Sequence, residues 1–441
     1  LKGFGKKTQD NILAGIEKVK LYNTRRLYAE VATDARELLS SLENNKDVCR
    51  VSLAGSLRRS SETVKDIDIV ASSNAAEKLA GYFAALPQVD TISAHGLTKV
   101  SVTLRTGINA DLRIVEDAQF PHALLHFTGS KEHNTALRSR AKDIGLKINE
   151  YGLWRGAKNI ICRNEEEIFA HLNLSYIPPE LRENMGEIEA AEKGSIPVLV
   201  EEKDVRGLLH IHTNFSDGAE SLEGMVEAAR KMGMQYIGIS DHSQSAQYAG
   251  GLKKEDIEKQ HELIDRLNKK YAPFQIFKGV ESDILPDGSL DYDDEILERF
   301  DFVIAAIHSN FNMPEKEMTR RITKSLQNRY TTMLAHPTGR LLLARESYAV
   351  NIMEIIDVAA QYGKALELNA NPRRLDLDWR NCIHARKKGV KISINPDAHR
   401  ASGLADISFG IKIARKGWLE KKDCLNCLSA GEMKKYLSRK K

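Results

Sequence analysis

The chain has 441 residues, of which 42% are hydrophobic and 29% charged. No apolar run approaches the ~20 residues that cross a bilayer, no signal peptide is visible, and five scattered cysteines exclude a disulfide scaffold. A cytoplasmic protein without membrane spans is therefore expected. The net charge of +4 is unevenly placed: residues 1–177 hold 25 Lys and Arg against 21 Asp and Glu, whereas the remaining 264 residues hold 40 of each. The basic excess in the first part points mildly to an anionic partner there.

Residues 8–46 read as largely helical. A Gly55-Ser56 turn with Arg58 and Arg59 behind it leads into DIDIVAS (66–72), a strand, and KVSVTLRT (99–106) and ADLRIV (110–115) read as two more. Residues 130–145 and 165–172 look helical again, so an α+β domain followed by a small mixed domain is expected. The stretch 178–206, with Pro178-Pro179, a weakly periodic charged run and Pro197, reads as a linker. Beyond it the pattern changes. Strand-like runs near 207–212, 235–240, 275–281, 301–308, 331–336, 364–369 and 390–395 alternate with helices near 221–232, 254–270, 315–329, 350–362, 378–388 and 404–416. Seven strands alternating with helices argue for a parallel α/β barrel; an open doubly wound sheet is the other option, and candidate ligands at nearly every strand end favour the barrel, because only closure brings those ends to one mouth. Cys424 and Cys427 form a lone CxxC, read as ordinary i, i+3 spacing rather than as half of a zinc site.

Two sets of side chains carry chemistry. Asp66 and Asp68 share one face of their strand by its period of two, and Asp111 stands on a later strand. Three converging carboxylates make a hard oxygen site suited to two Mg2+ or Mn2+ ions. The Gly55-Ser56 turn and the nearby arginines offer N–H, hydroxyl and cationic groups that cradle a triphosphate. A lone DxD is more often a solvated strand face; the Gly-Ser turn ahead and the third aspartate weigh against that reading. In the second half, His210, His212, Asp217, His242, Glu281, His308, His336, Asp397 and His399 nearly all close apolar runs. A barrel would deliver them to one mouth as a multinuclear metal site, an arrangement that usually hydrolyses phosphate esters.

The first set resembles the nucleotidyltransferase palm of bacterial-type family X DNA polymerases, and the resemblance extends along the whole chain. LKGFGKKTQDNIL (1–13) resembles that family's helix-hairpin-helix, which implies that Gly3 and Gly5 approach a DNA phosphate. The chain opens at Leu1 inside this motif, so an N-terminal part carrying the family's lyase-like domain is expected to be missing. HFTGSKEHN (126–134) resembles the thumb motif. That match implies that Phe127 and Gly129 line the sugar pocket, Asn134 meets the base and Arg138 touches the template, while the palm resemblance implies that Gly55, Ser56 and Arg59 hold the triphosphate. His126 replaces the usual tyrosine and Asn109 a basic residue.

HIHTNFSDG, SDHSQS, KGVES, AIHS, AHP and NPDAH resemble the motifs of the PHP (polymerase and histidinol phosphatase) domain. ELNANPRRLDL and FGIKIARKGWL resemble its polymerase-linked form. The resemblance implies a first metal on His210, His212, Glu281 and Asp397, a second on Glu281, His308 and His336, and a third on Asp217, His242 and His399. Mn2+ or Zn2+ suits this mixed ligation.

The expected architecture is multidomain: helix-hairpin-helix and fingers remnant (1–24), palm (25–120), thumb (121–177), linker (178–206) and a seven-stranded PHP barrel (207–441). The expected function is template-directed DNA polymerisation in short-gap repair, coupled to a 3′→5′ exonuclease or 3′-phosphodiesterase that also incises abasic sites. Gapped or primer-template DNA and dNTPs would be the partners of a monomer. The alternatives are a small-molecule phosphatase and a DNA-binding scaffold with silent sites.

Overall fold

The computed structural model describes residues 6, 8–10, 12, 13, 16, 22 and 24–438. The chain divides into two compact units, residues 1–196 and 197–441. The boundary falls inside the stretch read as a linker, and residues 178–195 belong to the first unit. The reason is burial: Arg182 and Glu187 have no exposed surface, and each is held by an ion pair to the first unit.

The first unit begins with strands β1 (Arg26–Leu27), β2 (Arg50–Leu53), β3 (Thr63–Val64), β4 (Asp66–Ser72), β5 (Val89–His95), β6 (Lys99–Leu104) and β7 (Asn109–Val115). Five of them form one sheet in the order β2-β4-β7-β6-β5. Only β4 and β7 run parallel. Ile67, Ile69 and Ala71 of β4 and Ala110, Leu112 and Ile114 of β7 pack under the helices Tyr28–Glu43 and Ala76–Ala84. The period of two sends Asp66, Asp68 and Asp111 to the opposite face. Helix Phe120–Thr128 covers that second face around Val70 and Val115. Two strands of this sheet escape the periodicity reading for physical reasons: β5 is an edge strand exposed at nearly every position, and β2 is half-buried throughout.

The rest of the first unit is an antiparallel sheet of β8 (Lys147–Asn149), β9 (Gly152–Arg155) and β10 (Lys158–Ile160) with helices Lys131–Asp143 and Glu165–His171. It is tied to the larger sheet through Glu165, whose carboxylate accepts from Arg58 at 2.6 Å and from Arg182 at 2.6 Å. Arg58 also donates to Thr128 Oγ1 at 2.7 Å.

The second unit has seven parallel strands in sequence order: β11 (Gly207–Leu208), β12 (Tyr236–Ile239), β13 (Gln275–Asp283), β14 (Phe302–Ala306), β15 (Thr331–Leu334), β16 (Ala365–Asn369) and β17 (Ile392–Asn395). The first is shorter than the run 207–212 because His210 takes a left-handed backbone, φ 57°, and leaves the ladder. Helices Leu222–Lys231, Lys254–Lys270, Glu315–Gln327, Ile352–Gln361, Trp379–Lys387 and Ile407–Lys416 cover the outside. The inside is filled by Leu209, Tyr236, Phe277, Phe302, Ile304 and Met333, joined by Leu425, Met433 and Leu437 from the C-terminal segment. Gly238 and Gly279 leave the room that the Phe302 ring occupies.

No ladder joins β17 to β11. The seam is closed near the carboxyl ends by one parallel bridge, Ile211 to Ala398. Near the amino ends the buried Asn426 side chain accepts from the Ile394 N–H at 2.7 Å and donates to the Gly207 carbonyl at 3.1 Å. The CxxC is the turn that presents this residue: Leu425–Cys427 is 3-10 helical, and both cysteines are buried and free.

Burial alone would raise the Glu165 pKa, but Arg182 and Arg58 outweigh it and bring the carboxyl down from 4.5 to about 2. Removing it with Glu165→Ala leaves the buried Arg182 and the part-buried Arg58 uncompensated and is expected to cost about 3–5 kcal/mol, read as a lower urea midpoint for the first unit. Because the folded-state pKa is depressed, the contribution is complete above about pH 4.5 and fades as pH falls toward 2. A gap between wild type and variant that stays constant over that range would rule out this electrostatic origin.

Candidate active sites

In the first unit, the parallel register sets Asp68 directly opposite Asp111 and Asp66 opposite Asn109. Burial, then Asp66 and Asp111, push the Asp68 carboxyl up to about 6. Burial and Asp111 raise that of Asp66 as well. Lys99 Nζ, 2.7 Å from Asp111 Oδ2, offsets part of this negative charge. Three carboxylates that repel one another on a half-buried face form a site whose donors fit a hard divalent cation.

Gly55 opens a single helical turn, Gly55–Arg58, at φ +57°, and a Cβ there would fall inside the Asp68 carboxylate. The glycine is thus required by the neighbouring aspartate as much as by the turn. Gly55, Ser56, Arg59, Asp66, Asp68, Phe127, Gly129, Asn134 and Arg138 line one open cleft, together with Arg25, Lys65 and Lys131. Arg59 is held at its wall by the Thr128 carbonyl at 2.6 Å and by Glu183 at 3.0 Å. The Asn134 amide donates to the His126 carbonyl at 2.7 Å. His126 packs edge-on against Phe127, and burial lowers its pKa. Asn109 accepts from the Thr103 hydroxyl at 2.9 Å. Gly3 and Gly5 lie outside the described residues. Arg113 was missed: its guanidinium lies 4.7 Å over the Phe127 ring. The strand period could have found it, two residues after Asp111.

In the second unit, ligand atoms gather into four overlapping groups, each within 4.8 Å: His212, Asp217, His242 and His399; His210, His212 and Asp397; His210, Glu281 and His336; His242, Glu281 and His308. All nine residues singled out in the sequence are present. The grouping differs from the implied partition: Glu281 is not grouped with His212 and Asp397, His212 also joins Asp217, His242 and His399, and His308 and His336 meet Glu281 in separate groups. His210 (φ 57°), His336 (φ 28°) and Asp397 (φ 50°) adopt left-handed backbones just past β11, β15 and β17. Such conformations cost of order 1–3 kcal/mol each; the turn aims the side chain back across the mouth.

Several polar atoms here are buried and hydrogen-bonded to nothing among the described residues: His210 Nε2, both ring nitrogens of His212, His242 Nδ1 and Glu281 Oε2. His242 Nδ1 lies 2.9 Å from Glu281 Oε2 without the alignment of a hydrogen bond. Leaving so many donors and acceptors unmet in a buried site is costly; divalent cations fit them. The charges agree. Burial disfavours charge on His242 and His308, yet Glu281 and its neighbours outweigh it and push them up to about 10 and about 9. Burial likewise opposes ionisation of Glu281 and Asp217, but the surrounding imidazoles hold both well below the usual carboxylate range. The site is anionic and draws positive charge.

A second set of residues orients these ligands, and it was missed in the sequence. Glu367 of β16 accepts from His210 Nδ1 at 2.5 Å and from the His336 N–H at 2.6 Å, while Asn395 donates to it at 2.8 Å. Asp283 accepts from His308 Nδ1 at 2.6 Å. Asp241, fully buried, accepts from the Thr213 N–H, the Thr213 and Ser216 hydroxyls and the Gln260 amide, and so fixes the loop that carries Asp217. The available signal was position for two of them, since Asp283 ends β13 and Asp241 follows β12, whereas Glu367 stands mid-strand and opens the quoted ELNANPRRLDL.

Residues 123–183 match the DNA polymerase beta thumb family and residues 209–371 the PHP domain. The PHP match stops before β17, so the place of Asp397 and His399 rests on the structure. The chain is 42% identical over 443 residues to the DNA polymerase/3′-5′ exonuclease PolX of Bacillus subtilis, covering 100% of this chain and 77% of that protein. It is 28% identical over 255 residues to a probable phosphatase of Thermoanaerobacter sp. (strain X514), covering 53% of this chain and 96% of that protein. It is 30% identical over 200 residues to a probable phosphatase of Caldicellulosiruptor bescii, covering 43% of this chain and 78% of that protein.

Glu367→Gln keeps the shape but loses the anion that orients His210. It is expected to weaken metal retention about 10–100-fold, measured as metal content after dialysis against a graded chelator. Retention equal to wild type would remove Glu367 from this role.

Proposed function

The chain belongs to the bacterial family X DNA polymerases that carry a PHP domain, and from that premise we propose that its first unit extends a DNA primer while its second trims the 3′ end. The observation that carries this reading is the whole-chain match to a polymerase/exonuclease, supported by a carboxylate triad in one unit and a nine-residue N/O cluster in the other.

In the first unit, Asp66, Asp68 and Asp111 would hold two Mg2+ or Mn2+ ions, and Gly55, Ser56 and Arg59 the triphosphate of a dNTP. Phe127, Gly129 and Asn134 would position its sugar and base, and Arg138 the template. When bound, the ions supply activation of the primer 3′-hydroxyl and neutralise the departing pyrophosphate. In the second unit the nine ligands would hold three Mn2+ or Zn2+ ions, which supply activation of water and a grip on phosphate oxygens. Glu281, shared by two of the four groups, would couple neighbouring ions. Arg374, whose Nε lies 3.7 Å from Asp397 Oδ2, would reach the substrate phosphate. The substrates would be gapped or primer-template DNA and dNTPs, and the protein a cytoplasmic monomer. Among the described residues no helix is long and apolar enough to cross a membrane.

A second reading, small-molecule phosphatase activity at the PHP site, is favoured by the relatives named probable phosphatases. Those alignments cover about half of this chain. Turnover of a chromogenic phosphomonoester without any cut of DNA would select that reading.

A gel of a 5′-labelled primer in a one-nucleotide gap tests both sites at once. With Mn2+ the primer should grow with dNTPs and shorten without them. Asp68→Ala should abolish growth and leave shortening intact, and His336→Ala the reverse. Loss of both activities by either folded variant would break the two-site reading. Gly55→Ala should lower extension about a hundredfold by displacing Asp68, and should leave trimming unchanged.

A further inference from the structure

The loop after His242 does something the metal cluster does not need. It is anchored on both sides of one residue. The Ser243 N–H donates to the Glu281 carbonyl at 3.0 Å, and the Leu252 N–H donates to the His242 carbonyl at 2.8 Å. The Ser245 hydroxyl donates to Asp283 at 2.9 Å, the same carboxylate that holds His308. Ala246 and Ala249 are buried. Gly251 sits so close to the Ser243 carbonyl that no Cβ would fit. Between these fixed points Tyr248 is 72% exposed. Its ring centroid lies 6.1 Å from that of His242 and 6.4 Å from that of His308, inclined to them by 58° and 75°. The ring therefore lies beside two metal-ligand candidates, and neither imidazole is stacked parallel to it.

An aromatic ring held by a braced loop and mostly exposed beside a phosphoesterase cluster has the form of a stacking surface for a base. We propose that Tyr248 is the platform on which the nucleobase of the 3′-terminal nucleotide stacks while its phosphodiester lies over the metal-ligand cluster. The inference rests on the trimming activity proposed above and names what the site grips beyond phosphate: an unpaired terminal base. Any base offers a π face, so the platform selects frayed or single-stranded ends without reading sequence.

The test uses the full metal-loaded chain and two 5′-labelled single-stranded oligonucleotides, one ending in a normal nucleotide and one in a tetrahydrofuran abasic residue. On the normal end, Tyr248→Ala should lower kcat/KM about tenfold and Tyr248→Phe should keep it within about twofold. On the abasic end, wild type and Tyr248→Ala should trim equally. Equal loss on both ends, no loss on the normal end, or a Tyr248→Phe defect as large as that of Tyr248→Ala would each overturn the stacking role. A wild-type chain that trims neither end would overturn the parent reading, and this one with it.

Discussion

Parallel strands bring their carboxyl ends to one mouth only if the sheet closes on itself, and in this protein closure hangs on a seam with no ladder. The backbone bridge of Ile211 to Ala398, the Ala219 N–H bond to the His399 carbonyl and the Asn426 side chain span it. The bridge lies between His210 and His212 on one strand extension and between Asp397 and His399 on the other. Without it, the group formed by His210, His212 and Asp397 has no reason to exist. The left-handed turns at His210 and Asp397 flank the same bridge, so seam and ligands are built from one stretch of backbone.

The two candidate sites place unlike demands on cations. The first unit offers only carboxylates, with Lys99 as partial compensation, and its donors are hard. The second unit offers six imidazoles and three carboxylates, with Glu367 and Asp283 polarising two of the rings. Imidazole tolerates softer transition ions that a carboxylate triad does not favour. Because the two units share no ligands, the metal supply of one can change without emptying the other.

Much of this was readable from the chain. Asp66, Asp68 and Asp111 could be placed because the strand period of two fixes which side chains share a face. The barrel ligands could be placed because each ends an apolar run, where the strand stops and the mouth begins. What escaped is what needs three dimensions. Glu367 lies inside a strand pattern, and only closure puts its carboxylate under both His210 and His336. Gly55 looked like a turn glycine; its steric reason, the Asp68 carboxylate, becomes visible only once β2 and β4 pair. Asn426 is a lone amide in a C-terminal turn, and nothing local marks it as a substitute for a missing ladder. The stretch 178–195 looked like a linker because its charges are unpatterned, whereas Arg182 and Glu187 are buried by partners far away in the sequence.

The seam also has a consequence for biosynthesis. Domains fold largely in the order in which they leave the ribosome. The first unit ends at residue 196 and can be complete long before synthesis ends. The second cannot close its barrel until Asp397, His399 and finally Asn426 have emerged. A nascent or prematurely stopped chain would therefore carry the extending machinery without the trimming machinery. Translation itself imposes that order, and full-length synthesis becomes the checkpoint that brings the second activity into being.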